Sequence, residues 1–155
     1  MKARLVIVAG LPGSGKTTLA RKLEFALPGI RLSADDWMSS LQINLHAESD
    51  RDRVEALQWQ LAQRLLELNN IVIVEWGTWG KWDRDRLRLR ARDLGALVEI
   101  HYLTASLEEL YRRIQARGME DPPITWEAVQ RWGAIMEAPT QQELALFDPP
   151  LVTSI

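Results

Sequence analysis

Three runs in this chain are apolar enough to be buried on both sides: residues 4–9, 71–74 and 97–103, all rich in Val, Ile and Leu. Helical patterns separate them, with apolar positions recurring at three- and four-residue steps. Short continuous apolar runs alternating with such helices predict a parallel sheet covered on both faces. The first helical stretch, residues 17–27, stops at Pro28-Gly29, and Ile30-Arg31-Leu32-Ser33 reads as a short second strand. Between residues 53 and 69, Val54, Leu57, Leu61, Leu65 and Leu68 predict the inward face of a long crossover helix. Residues 83–94 and 107–117 predict two more helices. Ser106 opens the second with Glu109 three positions on, a capping-box spacing, and Gly118 closes it. After the interruption at Asp121-Pro122-Pro123 the helical pattern returns over 125–137, and Leu151-Val152-Thr153 predicts a last short strand.

One of these helices carries Arg84, Arg86, Arg88, Arg90 and Arg92. Alternate residues on a helix stand about 200° apart, so the five arginines encircle the cylinder and do not form one basic stripe. The pattern predicts a solvated helix with Leu87, Leu89 and Leu94 inward, and leaves Arg84 or Arg86, nearest the strand end, within reach of a ligand. No repeat, low-complexity segment or linker divides the 155 residues, so a single domain over 1–155 is predicted.

The chemistry begins where the first strand ends. Gly10-Leu11-Pro12-Gly13-Ser14-Gly15-Lys16-Thr17 fits the phosphate-binding pattern G-x-x-x-x-G-K-[ST] at every fixed position, between a predicted strand and a predicted helix. Glycines allow the tight turn that points successive N–H groups at phosphates, and the helix start adds a positive dipole end. Lys16 is placed to bridge the β and γ oxygens, and Thr17, followed by Thr18, to offer its hydroxyl to Mg²⁺. Residues 10 and 12 to 18 are therefore the predicted nucleotide site, with ATP and Mg²⁺ as cofactors. No Asn-Lys-x-Asp motif for reading guanine occurs in the chain.

In an open parallel sheet the strand carboxyl ends share one crevice, so residues after positions 9, 33 and 75 converge there. Asp35 and Asp36 follow the second strand, and Glu75 closes the third. Transfer to a hydroxyl needs a carboxylate that accepts the proton, for which Asp35 is the choice, with one of the pair capping the following helix. Glu75 is placed to hold Mg²⁺ through water. Arg113 and Arg117, four apart on one helix face, can supply charge to the migrating phosphoryl group, or pair with Glu109.

Several of these segments together resemble a known family. Gly10 to Thr18, Leu32-Ser-Ala-Asp-Asp-Trp37, Val72-Ile-Val-Glu-Trp-Gly-Thr78 and Glu109 to Gly118 are similar to the AAA-type P-loop kinases that include phage polynucleotide 5'-hydroxyl kinase, chloramphenicol phosphotransferase and zeta toxins. The resemblance implies an α/β three-layer fold with a five-stranded parallel sheet in the order 2-3-1-4-5. It further implies Asp35 as general base and Arg113 and Arg117 as arginines of a lid over residues 107–123. This chain departs from the polynucleotide kinase in having Glu75 in place of an Asp. It also has Met38 where that enzyme has a basic residue two positions beyond its Asp pair.

Charge and composition narrow the acceptor. A net charge of −2 and a pI of about 5.7 give no general attraction to nucleic acid, so a polynucleotide acceptor is the alternative and a small hydroxyl compound is preferred. The chain has no cysteine and only two histidines, His46 and His101, far apart, which excludes thiolate chemistry and suggests no histidine metal site. Of seven tryptophans, Trp76, Trp79 and Trp82 crowd the loop after the third strand, bordering the acceptor side. The predicted acceptor residues are Asp35, Asp36, Arg53, Glu75, Trp76 and Trp79. Residues 41–53, with His46, Arg51 and Arg53, read equally as a mobile acceptor cap or a solvated connection. No stretch reaches membrane-spanning length, and an ATP-dependent kinase for an antibiotic, nucleoside or sugar is expected in the cytoplasm. An ATPase or nucleotide-binding regulatory protein without an acceptor is the other alternative.

Overall fold

A computed structural model of the chain describes residues 2–155. In chain order its elements are β1 (Arg4–Ala9), α1 (Lys16–Ala26), β2 (Ile30–Leu32), α2 (Ala34–Ser40), α3 (Glu48–Glu67), β3 (Ile71–Val74), α4 (Lys81–Asp93), β4 (Leu97–Tyr102), α5 (Leu107–Arg117), α6 (Trp126–Ile135) and α7 (Gln141–Leu144). The strands form one parallel sheet in the order β2-β3-β1-β4, with Arg4 opposite both Ile71 and Leu97. β1 and β3 are buried throughout, as their unbroken apolar runs require.

The alternation of side chains along β1 divides the core in two. Leu5, Ile7 and Ala9 face α2, α3 and α4 through Met38, Trp59, Ala62 and Leu87. Val6 and Val8 face α1 through Ala20, Leu23 and Leu27. Leu110 and Ile114 of α5 join Val129 of α6 and Leu11 of the phosphate loop in a third cluster, which fastens α5 beside that loop.

The expected fifth strand is absent among the described residues: their sheet has four strands, and Leu151-Val152-Thr153 is irregular. Asp148-Pro149-Pro150 brings the tail to the open edge of β4, but proline has no N–H to extend a ladder. The edge is closed otherwise. Val98 N–H donates to Asp148 Oδ2 at 2.7 Å, Asp148 N–H donates to the Val98 carbonyl at 2.7 Å, and Leu151 N–H donates to Glu99 Oε2 at 3.0 Å. Burial would raise the Glu99 carboxyl; hydrogen bonds from His101 and Leu151 and the charge of Arg4 outweigh it and hold the group below its usual range.

Two helices are rotated relative to the expected faces. In α3 the buried stripe is Val54, Gln58, Trp59, Ala62 and Leu66, while Leu57 and Leu61 are 58 % and 40 % exposed and Leu68 is also outward. A polar tie fixes this rotation: Trp76 Nε1 donates to Gln58 Oε1 at 2.7 Å, and Gln58 Nε2 donates to the Ser33 carbonyl at 3.0 Å. In α4 the inward stripe is Arg84, Leu87 and Ala91, and Leu89 faces solvent. Arg84 is therefore neither solvated nor available to a ligand. All five of its N–H groups are used, on both oxygens of Glu143 in α7 at 2.6 and 3.0 Å and on the carbonyls of Thr78, Trp79 and Glu137.

Candidate active site

The loop between β1 and α1 is shaped by glycines where the sequence requires them. A Cβ at Gly10 would lie 2.6 Å from both the Leu103 carbonyl and Ser14 Oγ, and Gly13 has φ 83° with the Leu110 carbonyl 2.9 Å from where its Cβ would stand. The loop is thus held between β4 and α5. Pro12, Gly13, Gly15, Lys16, Thr17 and Thr18 line a crevice of about 800 Å³ at the carboxyl ends of the strands. Gly10 and Ser14 lie behind it, with Ser14 buried.

Lys16 Nζ donates to the Leu11 carbonyl at 3.0 Å. Burial lowers its pKa to about 8, against the raising influence of Asp35 and Glu75. Both carboxylates therefore stand near the ammonium group. Thr17 Oγ1 donates to Glu75 Oε1 at 3.2 Å, so the end of the loop and the end of β3 converge as anticipated. Glu75 is 9 % exposed, and its Oε2 has no hydrogen-bond partner. A hydroxyl beside a buried carboxylate oxygen is a hard-oxygen donor set that fits Mg²⁺. No group of three or more His, Cys, Asp or Glu side chains among the described residues forms a metal cage, so phosphate oxygens and water would have to complete the shell.

Asp35 and Asp36, adjacent in sequence, part company in space. Neither caps α2: Ser33 does, accepting from Asp36 N–H at 3.2 Å. Asp35 lines the crevice, and Arg51 of α3 donates to its Oδ1 at 2.7 Å. Asp36 points to Arg31 of β2, which also reaches Glu75 at 3.2 Å and Glu24 at 3.2 Å. Arg31 thus fixes Glu75 and withdraws Asp36 from the crevice. It had no signal in the sequence, because a single arginine in a short strand reads as edge polarity.

Arg113 of α5 spans Glu109 at 2.9 Å and the Gly13 carbonyl at 3.2 Å, placing its guanidinium on the phosphate loop. Arg117, one turn on, pairs with Glu120, and both arginines line the crevice. Arg53 does not line it; its exposed side chain turns to Ser49 and Asp50, and Arg51 and His46 of the same segment take the lining positions. Among the tryptophans, Trp76 is floor: it is buried against Trp59, edge to face at 6.3 Å, while still bounding the crevice. Trp79 is wall, stacked at a tilt on Trp132 of α6 at 6.2 Å. Trp82 is exposed under Arg86, away from the crevice lining. Met38 is fully buried in the core, so the position that is basic in the polynucleotide kinase has no route to a substrate here.

Glu55 is the residue that motif reasoning had no means of finding. Burial, together with Asp52, Asp83 and Asp35 nearby, pushes its carboxyl up to about 7, against the lowering influence of Arg51.

With the phosphate loop, the Thr17–Glu75 contact and the α5 arginines on one crevice, comparison with known proteins becomes specific. The model of the AAA_33 family, described as an AAA domain, matches residues 5–139. The chain belongs to the AAA_33 family. A UPF0200 protein of Thermococcus onnurineus (strain NA1) is 24 % identical over 140 residues, 79 % of this chain and 73 % of that protein. A chain of the Pnkp1/Rnl/Hen1 RNA repair complex superimposes with a TM-score of 0.74 at 21 % identity, over 95 % of this chain and 47 % of the other. Kti12 of Chaetomium thermophilum, solved with ADP-AlF3, gives 0.70 at 22 % identity over 94 % and 86 %. A gluconokinase of Sinorhizobium meliloti 1021 gives 0.64 at 20 % identity over 90 % and 78 %. At such identities these structures establish the fold alone.

Proposed function

We propose that this AAA_33 protein is an ATP-dependent phosphotransferase that moves the γ-phosphoryl group to a hydroxyl of a small molecule. The observation that carries the reading is the convergence of Lys16, Thr17 with Glu75, Asp35, and Arg113 with Arg117 on one crevice. An ATP-binding module without an acceptor has no need of Asp35 there. The acceptor oxygen attacks the γ-phosphorus while its proton passes to the Asp35 carboxylate. The bond from that phosphorus to the β–γ bridging oxygen breaks, and its electron pair leaves with ADP. Lys16 and the two arginines balance charge on the oxygens of the migrating group. Thr17 and Glu75 would hold Mg²⁺, whose charge would offset that of the phosphate oxygens. Arg51 of α3 holds the Asp35 carboxylate, which stands in the first turn of α2.

Asp35→Asn tests the assignment. Turnover on the acceptor should fall about 10²–10⁴-fold, the usual weight of a general base, with MgATP affinity retained. A variant keeping more than about a tenth of wild-type turnover would remove Asp35 from the role.

A further inference from the structure

Three carboxylates from three elements converge on one guanidinium, that of Arg31 in β2. Its Nε donates to Glu24 of α1 at 3.2 Å, its Nη1 to Glu75 at the end of β3 at 3.2 Å, and its Nη2 to Asp36 of α2. Strand pairing explains the reach, since Arg31 stands opposite Ile73, two positions before Glu75. Neither Arg31 nor Asp36 lines the crevice, so whatever they do for the site they do through another residue.

The three carboxylates do not need the cation equally. The side chains of Glu24 and Asp36 are 42 % and 45 % exposed, where water and salt screen an ion pair and leave it weak. Glu75 is 4 % exposed beside a guanidinium that is 11 % exposed, and a buried carboxylate stripped of its counter-ion is strongly disfavoured. Glu75 is therefore the carboxylate that depends on Arg31. The other two hold the remaining edges of the planar fork, which turns Nη1 toward Glu75.

What Glu75 does in turn is decided by Thr17. The same oxygen, Glu75 Oε1, accepts from Arg31 Nη1 and from Thr17 Oγ1, each at 3.2 Å. A hydroxyl that donates its proton to a carboxylate keeps both lone pairs for a metal ion, so the place of Glu75 fixes the direction in which the Thr17 oxygen can serve. Partners behind a metal ligand commonly govern affinity as strongly as this, because they hold the ligand in its working orientation.

We propose that Arg31 is a positioning residue for the metal site: by holding Glu75 it orients Thr17 toward Mg²⁺, and Glu24 and Asp36 serve the site by aiming Arg31. The proposal rests on the Mg²⁺ site of the kinase reading and deepens it. It also gives Asp36 a place at the nucleotide end of the molecule, with no contact to an acceptor.

The test reads metal binding and needs no acceptor. Mn²⁺ takes the same hard oxygen ligands as Mg²⁺, and its free form is counted by electron spin resonance. It is titrated into the full chain holding ADP, with protein in excess so that no free nucleotide competes. Arg31→Gln should weaken Mn²⁺ binding by about tenfold or more, the usual weight of a residue that orients a metal ligand. Arg31→Lys, which keeps the charge and loses the fork, should fall between that variant and wild type. Metal-free ADP, titrated in EDTA by calorimetry, should bind Arg31→Gln as tightly as wild type. Unchanged Mn²⁺ affinity in Arg31→Gln overturns the proposal, as does a wild-type complex that takes up no Mn²⁺. An equal loss of metal-free ADP binding overturns it too, because Arg31 would then be a strut for the phosphate loop. Where Arg31→Gln does not fold, the double variant Glu24→Gln/Asp36→Asn decides, since both carboxylates are exposed. It frees the fork and should weaken Mn²⁺ binding by at least about threefold, and no change sinks the proposal. The two readings fail separately. Asp35→Asn that leaves acceptor turnover intact removes the kinase assignment and not this one, whereas Mn²⁺ binding indifferent to Arg31 removes this one and not the kinase.

Discussion

Lys16 shows how one residue's environment becomes a measurable property. Its ammonium is half enclosed by the phosphate loop, and burial lowers its pKa to about 8 in the free protein. The charged form is the one that binds a triphosphate. Affinity for MgATP should therefore be flat below pH 8 and fall above it, approaching tenfold per pH unit as the free protein gives up the proton. Fluorescence titrations from pH 7 to 9.5 would read this; a dissociation constant constant through pH 9.5 would contradict the assignment. The neighbouring pair Asp35 and Asp36 makes a related point. Both stand in the first turn of a helix capped by Ser33, where negative charge suits the dipole, yet only Asp35 reaches the crevice. Arg31 takes the other.

At the scale of elements, periodicity located every major helix but not always its rotation. In α3 the heptad-like leucines Leu57, Leu61 and Leu68 were expected inward because apolar character was the only measure available. The helix instead turns Gln58 and Trp59 inward, because Gln58 joins Trp76 of the β3 end to Ser33 of the β2 end. A hydrogen-bonded glutamine with 0 % exposure outranks an aliphatic stripe once its partners exist, and those partners lie 18 and 25 positions away, outside any local pattern. The same holds for α4, where Arg84 occupies a core position because α7 and two loops supply acceptors for every donor. The phosphate loop, Asp35, Glu75 and the α5 arginines were legible because each is a residue type fixed by chemistry at a strand or helix end. Arg31, Glu55 and Glu143 were not, since their meaning comes only from what they face. The rotation of α3 is open to test. Leu57→Glu should change stability by no more than about 0.5 kcal/mol, as at an ordinary surface position, whereas Trp59→Ala should cost about 3–5 kcal/mol in urea unfolding. Equal losses would mean that the leucine stripe is the buried one after all.

For the whole molecule, the last twenty or so residues do the work that a fifth strand was expected to do, and more. Asp148 and Leu151 close the edge of β4, and Glu143 completes the pair with Arg84 that fixes the Thr78–Gly80 turn beside the crevice. Thr78 has φ 46°, an unfavourable conformation for a β-branched residue, and the Arg84 contact to its carbonyl helps hold it there. Glu143→Ala would leave the guanidinium buried without its counter-ion. The expected loss is about 3–5 kcal/mol, or a fall of roughly 6–20 °C in Tm for a chain of this size, read by thermal melting. A Tm within about 2 °C of wild type would show that the pair is dispensable.

The Arg84–Glu143 pair also bears on where this domain ends. The family match stops at residue 139, four positions short of Glu143. A boundary drawn by kinship therefore passes between two halves of one ion pair. Cutting the chain at the end of the family match would leave Arg84 buried without its counter-ion and unpin the Thr78–Gly80 wall of the crevice.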